Sequence, residues 1–404
     1  MARRVLLHVG TPKTGTSYLQ DVLFRSRLEL QRAGILYPAD RFDAHFLAGL
    51  DLMQLPWGGL EAEAIGAWGD LARRVREHSG TAIISHEILA SASRPQIERA
   101  LDSLGAGSGT EIHVLLSVRD LVRQIPAEWQ ENVKHRSTIS YEAFLAQLAD
   151  PARSGRIASW FWSVQEIPDI LDRWAAGLPP EQVHVITVPQ PGGPADQLWQ
   201  RFSAAFGLDG LALRHEAIRA NPSLGVPETA LVRRINASAN AVLEPRHYRP
   251  LVRELLAHQT LSRRTGSPRL ALPPGSHAWA LDLSIGWAEE IRARGYDVVG
   301  DLADLAGAPV AVPWTDPAHP DEAQVADAAV DALRAVLLET ARLREREEQL
   351  ARDLDDAHRA LERAYLRPTY RWREKTVRRL QGGRLGQRLL ALYRSARGRS
   401  SLSA

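Results

Sequence analysis

A chain of 404 residues, 45% hydrophobic and 24% charged, can bury one large core or two modest ones, which excludes a wholly disordered protein. No apolar run approaches the ~18 residues that span a bilayer, and with no cysteine there are no disulfides and no thiolate metal site. Arg3 and Arg4 lead into a strand and not into a cleavable apolar segment, so a cytoplasmic location is expected. The net charge of +2 is unevenly spread: between Arg367 and Arg399 eleven basic residues face only Glu374, giving that tail +10 and leaving −8 elsewhere.

The first predicted element is an apolar strand from Val5, which runs into the loop Gly10-Thr-Pro-Lys-Thr-Gly-Thr-Ser17 and then an amphipathic helix. Backbone N–H groups of such a loop, with the positive end of the helix behind it, make a concave anion site, and Gly10 and Gly15 allow close approach. In an ATP-binding Walker loop the lysine follows the second glycine. Here Thr16 follows Gly15 and the lysine lies inside the loop at Lys13. Lys13-Thr14-Gly15-Thr16-Ser17 resembles instead the 5′-phosphosulfate loop of sulfotransferases that use 3′-phosphoadenosine-5′-phosphosulfate (PAPS), whose core reads Lys-[Ser/Thr]-Gly-Thr-[Ser/Thr].

Further strands are predicted over Thr81–Ser85, Glu111–Val118 and Gln182–Val188, short runs rich in Val and Ile. Helical stretches over 66–78, 94–104 and 167–174 separate them. The alternation predicts an α/β fold with a P-loop-type central parallel sheet flanked by helices, and ligands beyond the carboxyl ends of its strands. After the turn Gln190-Pro-Gly-Gly-Pro194 the pattern is mostly helical (195–206, 227–240, 246–258), and 283–295 reads as the last core helix.

The resemblance implies that Lys13, Thr14, Gly15, Thr16 and Ser17 hold the phosphosulfate. It also implies that an arginine ending a middle strand grips the 3′-phosphate, a place occupied by Arg119, with Arg123 one turn on facing the same anion. Asp120 is placed to cap the next helix. Where the family commonly has serine, eight residues after Arg119, this chain has Ala127, and Ser117, Arg123, Gln130 or Asn132 could stand in. Asn221 and Ser223, in Asn-Pro-Ser-Leu-Gly225, match a stretch that bacterial members carry near the nucleotide, although both are also ordinary capping residues.

Sulfuryl transfer to an alcohol needs in-line placement, compensation of charge on the leaving oxygen, and a base for the acceptor proton. Lys13 is expected to reach the bridging oxygen, and His86 or Glu87, at the end of the strand beside the loop, to be the base; alternation along a strand end points only one of them inward. His8 is expected to be a buried support of the loop. Trp129, Trp160, Trp162 and Trp174 are candidates for stacking on adenine or a sugar, with core packing the alternative. No grouping has zinc-ligand spacing, and the family has no obligatory metal.

The α/β domain is expected over 1–307, followed by a proline-rich linker over 308–320. A long helix over 321–365 has a 4-3 apolar spacing that allows a homodimeric coiled coil or a single helix. The tail, 366–404, interleaves basic residues with Tyr370, Trp372, Val377 and Leu380, a pattern suited to an anionic membrane surface on its cytoplasmic face; no nucleic-acid module is visible. The expected activity is therefore PAPS-dependent sulfation of a hydroxyl on a carbohydrate or glycolipid. The alternatives are a P-loop kinase-like phosphotransferase and a non-catalytic nucleotide-binding scaffold.

Overall fold

Six parallel strands form one sheet in a computed structural model that describes residues 2–215 and 223–366, together with 372, 375–377 and 379. They are β1 (Arg4–His8), β2 (Ile35–Leu36), β3 (Thr81–Ser85), β4 (Glu111–Val118), β5 (Val183–Thr187) and β6 (Asp297–Val299), in the order β2-β3-β1-β4-β5-β6. The expected α/β architecture is present. Every residue of β4 after Glu111 is buried, which is why this strand is mostly apolar: helices cover both faces of a parallel sheet.

β1 lies between β3 and β4, with His8 in register with Ser85 and with Leu115. On that face Leu6, Ile83, Leu115 and Ile186 pack against Leu19, Val22 and Leu23 of helix α1 (Thr16–Arg25) and against Trp199 and Phe202 of helix Gln197–Ala205. Side chains two apart on a strand share a face, so His8, Ser85 and Ser117 meet there. His8 Nδ1 lies 2.8 Å from Ser85 Oγ and its Nε2 3.0 Å from Ser117 Oγ.

Two edge strands escape the sequence pattern. β2 and β6 have two and three residues, too few for periodicity, and are defined only by their pairing with β3 and β5. The helix expected over 283–295 begins earlier, at Pro274, and β6 follows it. The segment 246–258 splits into a short α-helix, Pro245–Tyr248, and a π-helical stretch, Arg249–Thr260; Pro250 supplies no N–H to a regular helix there.

The chain divides into two compact units, Met1–Ala332 and Leu333–Ala404. The first extends past the proline-rich segment, where Trp314 Nε1 donates to the Ala271 carbonyl at 3.2 Å. The long helix is Glu322–Leu366; Val325, Ala328 and Ala332 are buried. In the second unit Leu333, Val336, Leu343, Leu350, Leu354 and Leu361, on the 4-3 spacing, are exposed. Most of the basic tail lies outside the described residues. Among the described residues no helix is long and apolar enough to cross a membrane.

Candidate functional site

The loop after β1 is pinned to the end of β4. Thr11 N–H donates to the Ser117 carbonyl (2.7 Å), and Ser117 N–H and Oγ both donate to the Gly10 carbonyl (2.5 and 2.9 Å). Gly10 has φ 119°, and a Cβ there would lie 3.2 Å from Glu87 Cα and O, so the loop packs directly on the backbone that follows β3. Left-handed turns at Lys13 (φ 65°) and Gly15 (φ 90°) lead into α1, whose N-terminus has no side-chain cap. Uncapped N–H groups at the positive end of a helix are available to an anion.

Thr14 and Thr16 have their hydroxyls turned into the protein. Thr14 Oγ1 donates to the Thr11 carbonyl at 2.6 Å and lies 2.5 Å from Ser117 Oγ, while Thr16 hydrogen-bonds Glu87. Ser17 is exposed. Thr14 and Thr16 thus brace the loop with their side chains and offer a ligand only their backbone N–H groups. The His8 imidazole beneath is pushed down to about 4 by burial, so it is a neutral support, as expected.

Arg119 adjoins the loop: its Nη1 donates to the Lys13 carbonyl at 3.4 Å, and its Nε is buried without a hydrogen-bond partner. Burial, with the nearby Arg123, lowers its guanidinium to about 10. Arg123 does not join it. That side chain is spent on Asp120 and on the carbonyls of Pro189 (2.9 Å) and Val188 (3.3 Å).

None of the four stand-ins for the expected serine is placed for that role. Ser117 ties His8 and Thr14 together, Arg123 is turned away, and Gln130 clamps both backbone groups of Leu224 (3.0 and 2.9 Å). Asn132 donates to the Glu128 carbonyl. Ser223, next to that clamp, is exposed, and Asn221 lies outside the described residues.

Helix α2 (Leu121–Lys134), capped by Asp120 as expected, passes alongside the loop. Gln124, Glu128 and Glu131, at spacings i, i+4 and i+7, share one face. Gln124 Nε2 donates to the Pro12 carbonyl at 2.6 Å. Gln165, on helix α3 (Arg156–Gln165), bridges the same carbonyl (3.4 Å) and Glu128 Oε1 (3.1 Å). Glu131 Oε2 takes the Lys13 ammonium at 2.5 Å.

The two carboxylates are pushed apart. Burial raises Glu128 to about 7 against the pull of Lys13, with Glu131 and Glu87 adding to the rise. Burial also pushes Glu131 up, but His135, Lys13 and Lys134 outweigh it and hold it far below the ordinary carboxylate range. Such a divergence sorts acid–base roles, leaving Glu128 able to exchange a proton near neutrality.

His86 and Glu87 lie where expected, beyond β3 and beside the loop. Burial pushes the Glu87 carboxyl up, yet His86, its own N–H, Gln20 (2.8 Å) and Thr16 outweigh that and keep it low. His86 is lowered by burial, and its Nδ1 accepts the Ile88 N–H at 3.1 Å. A neutral ring assigned that bond carries its proton on Nε2, which then donates. Both are shifted downward, whereas Glu128 is raised to about 7.

No protein-family model, curated protein or solved structure matches this chain.

Glu128 and Glu131 were not singled out from the sequence. The available signal was a polar stripe at helical spacing on a helix that also carries Leu121, Ile125, Trp129 and Val133, a pattern that looks like a solvated face until the neighbouring loop is known. Trp129, Trp162 and Trp174 are core residues, with indole N–H groups donating to the carbonyls of Ile139, Leu148 and Leu89. Trp160 differs: it continues a row of rings, His86–Phe46–Trp57–Trp160, with centroids 5.1, 5.5 and 6.0 Å apart.

Proposed function

We propose that this protein is a sulfotransferase that moves a sulfuryl group from PAPS to a hydroxyl of a carbohydrate or glycolipid. The observation that carries the reading is the junction of the Lys13–Ser17 loop with Arg119, whose buried, unpartnered Nε lies beside the loop. A buried cation without a full set of acceptors is costly, and a phosphate group there supplies them. Uncapped N–H groups of α1 suit the phosphosulfate.

The chemistry then divides among three side chains. Glu128 takes the acceptor proton on Oε2, since Oε1 accepts from Gln165. The acceptor oxygen forms its bond to sulfur as the bond from sulfur to the bridging oxygen breaks. Lys13, exchanging Glu131 for the ligand, donates a hydrogen bond to the departing phosphate oxygen. Arg119 holds the nucleotide in line. The products are a sulfate ester and adenosine 3′,5′-bisphosphate, with the acceptor's proton left on Glu128. Sugar rings commonly lie on aromatic faces, and the row from His86 to Trp160 supports a saccharide acceptor.

A cytoplasmic placement, contact of the basic tail with an anionic membrane surface, and pairing of two copies through the long helix belong to the same reading. The test is release of adenosine 3′,5′-bisphosphate from PAPS over a panel of saccharide and glycolipid acceptors. Acceptor-dependent release that Lys13→Ala strongly lowers is expected; release with no acceptor able to raise it contradicts the reading.

A further inference from the structure

Lys13 is one of four basic side chains that converge on Glu131. On Oε1, His135 Nε2 lies at 3.2 Å and Arg253 Nη2 at 3.3 Å; on Oε2, Lys13 Nζ lies at 2.5 Å and Lys134 Nζ at 3.7 Å. One carboxylate therefore serves two lysines, an arginine and a histidine. The service is incomplete. The Lys134 side chain is only 4% exposed, and its contact with Glu131 is longer than a hydrogen bond. Arg253 Nε is buried with no hydrogen-bond partner.

A buried ammonium with so little compensation destabilises a fold unless another anion completes it. Burial lowers the Lys134 ammonium to about 8, although Glu131 pulls the other way. His258 borders the group: burial and Lys134 lower it, while Glu254 and Glu131 pull the other way. The group is adjacent to the chemistry: Lys13 comes from the phosphate loop, and Glu128 precedes Glu131 by one turn of α2.

We propose that Lys134 and Arg253 form an anion subsite for the acceptor, so that the reacting hydroxyl belongs to a saccharide bearing a carboxylate or an existing sulfate. Assigning the anion to the acceptor rests on the sulfotransferase reading; the demand for an anion rests on the cluster itself. Glu131 is the internal anion that shares these cations until the ligand's group arrives. Guanidinium and ammonium groups both bind carboxylate and sulfate, the arginine by its planar fork.

The experiment uses the full chain and two matched saccharide pairs, cellobiose against its glucuronate-terminated counterpart and lactose against lactose 3′-sulfate, by calorimetry. The anionic member of at least one pair should bind at least tenfold more tightly. That preference should fall at least fivefold in Lys134→Gln/Arg253→Gln and in the less buried single variant Arg253→Gln. Glu131→Gln, which removes the competing internal anion, should strengthen it, an effect that a merely structural role does not produce. Equal binding within both pairs, or a preference untouched by Arg253→Gln, overturns the proposal. So does a tenfold loss of affinity for adenosine 3′,5′-bisphosphate in the double variant, which would assign the cluster to the nucleotide. A separate titration of the wild type with that bisphosphate reports on the sulfotransferase reading alone: its failure beside a persisting anion preference removes the reading and leaves the subsite.

Discussion

Lys13 Nζ and Glu131 Oε2 meet at 2.5 Å, which fastens the cation of the phosphate loop to the side of α2. The lysine is therefore held one ion-pair exchange away from a ligand oxygen. Lys13→Ala should lower kcat by roughly 10²–10³-fold, the range for removing one donor to a developing oxyanion, and should change acceptor KM far less. Steady-state kinetics with PAPS at saturation check this split.

Glu128 should govern the pH profile. A carboxyl held at about 7 is an active base only above that pH, so kcat/KM should rise through about pH 7 and level off. Glu128→Gln should remove that limb and lower turnover by roughly 10²–10⁴-fold. If Glu87→Gln or His86→Ala removes the limb while Glu128→Gln keeps it, the base is at the end of β3.

Much of this was open to reading in the sequence, for physical reasons. β3 and β4 are mostly apolar because both faces of a parallel strand are buried, and their ends, His86-Glu87 and Arg119-Asp120, stand where the chain turns polar. The loop was legible because its backbone geometry demands particular residues at Gly10 and Gly15. Arg123 was misplaced because its neighbours, the carbonyls of Val188 and Pro189, arrive from 65 and 66 residues away. Glu128 and Glu131 were hidden for the same reason: periodicity says that they share a face with Gln124, but only the path of α2 past Pro12 says what that face meets.

Gly10→Ala should destabilise the fold by about 1–3 kcal/mol, since φ 119° is strained for any side chain. The new Cβ would press on the Glu87 backbone, not on the end of a flexible side chain. Denaturant unfolding measures the loss, and turnover should fall with it because the displaced segment borders the site.

Acid should destabilise the protein through His8 and His45, which burial lowers to about 4 and about 3. Both stay neutral in the native state, while the unfolded chain takes up their protons near pH 6.5. The contribution is full above about pH 6.5 and is lost as pH falls towards 4 and 3, at up to about 1.4 kcal/mol per pH unit for each histidine. His45→Gln should reduce the slope of stability against pH between 4 and 6 by about one proton.

Whether the loop and Arg119 hold a 3′-phosphoadenosine nucleotide is decided by calorimetric titration with adenosine 3′,5′-bisphosphate, in parallel with ATP plus Mg²⁺. The bisphosphate should bind the wild type, and Arg119→Ala should weaken it by about 10–150-fold, the worth of a hydrogen bond to a charged group. Binding of ATP with Mg²⁺ but not of the bisphosphate, or bisphosphate binding indifferent to Arg119→Ala, would contradict the account.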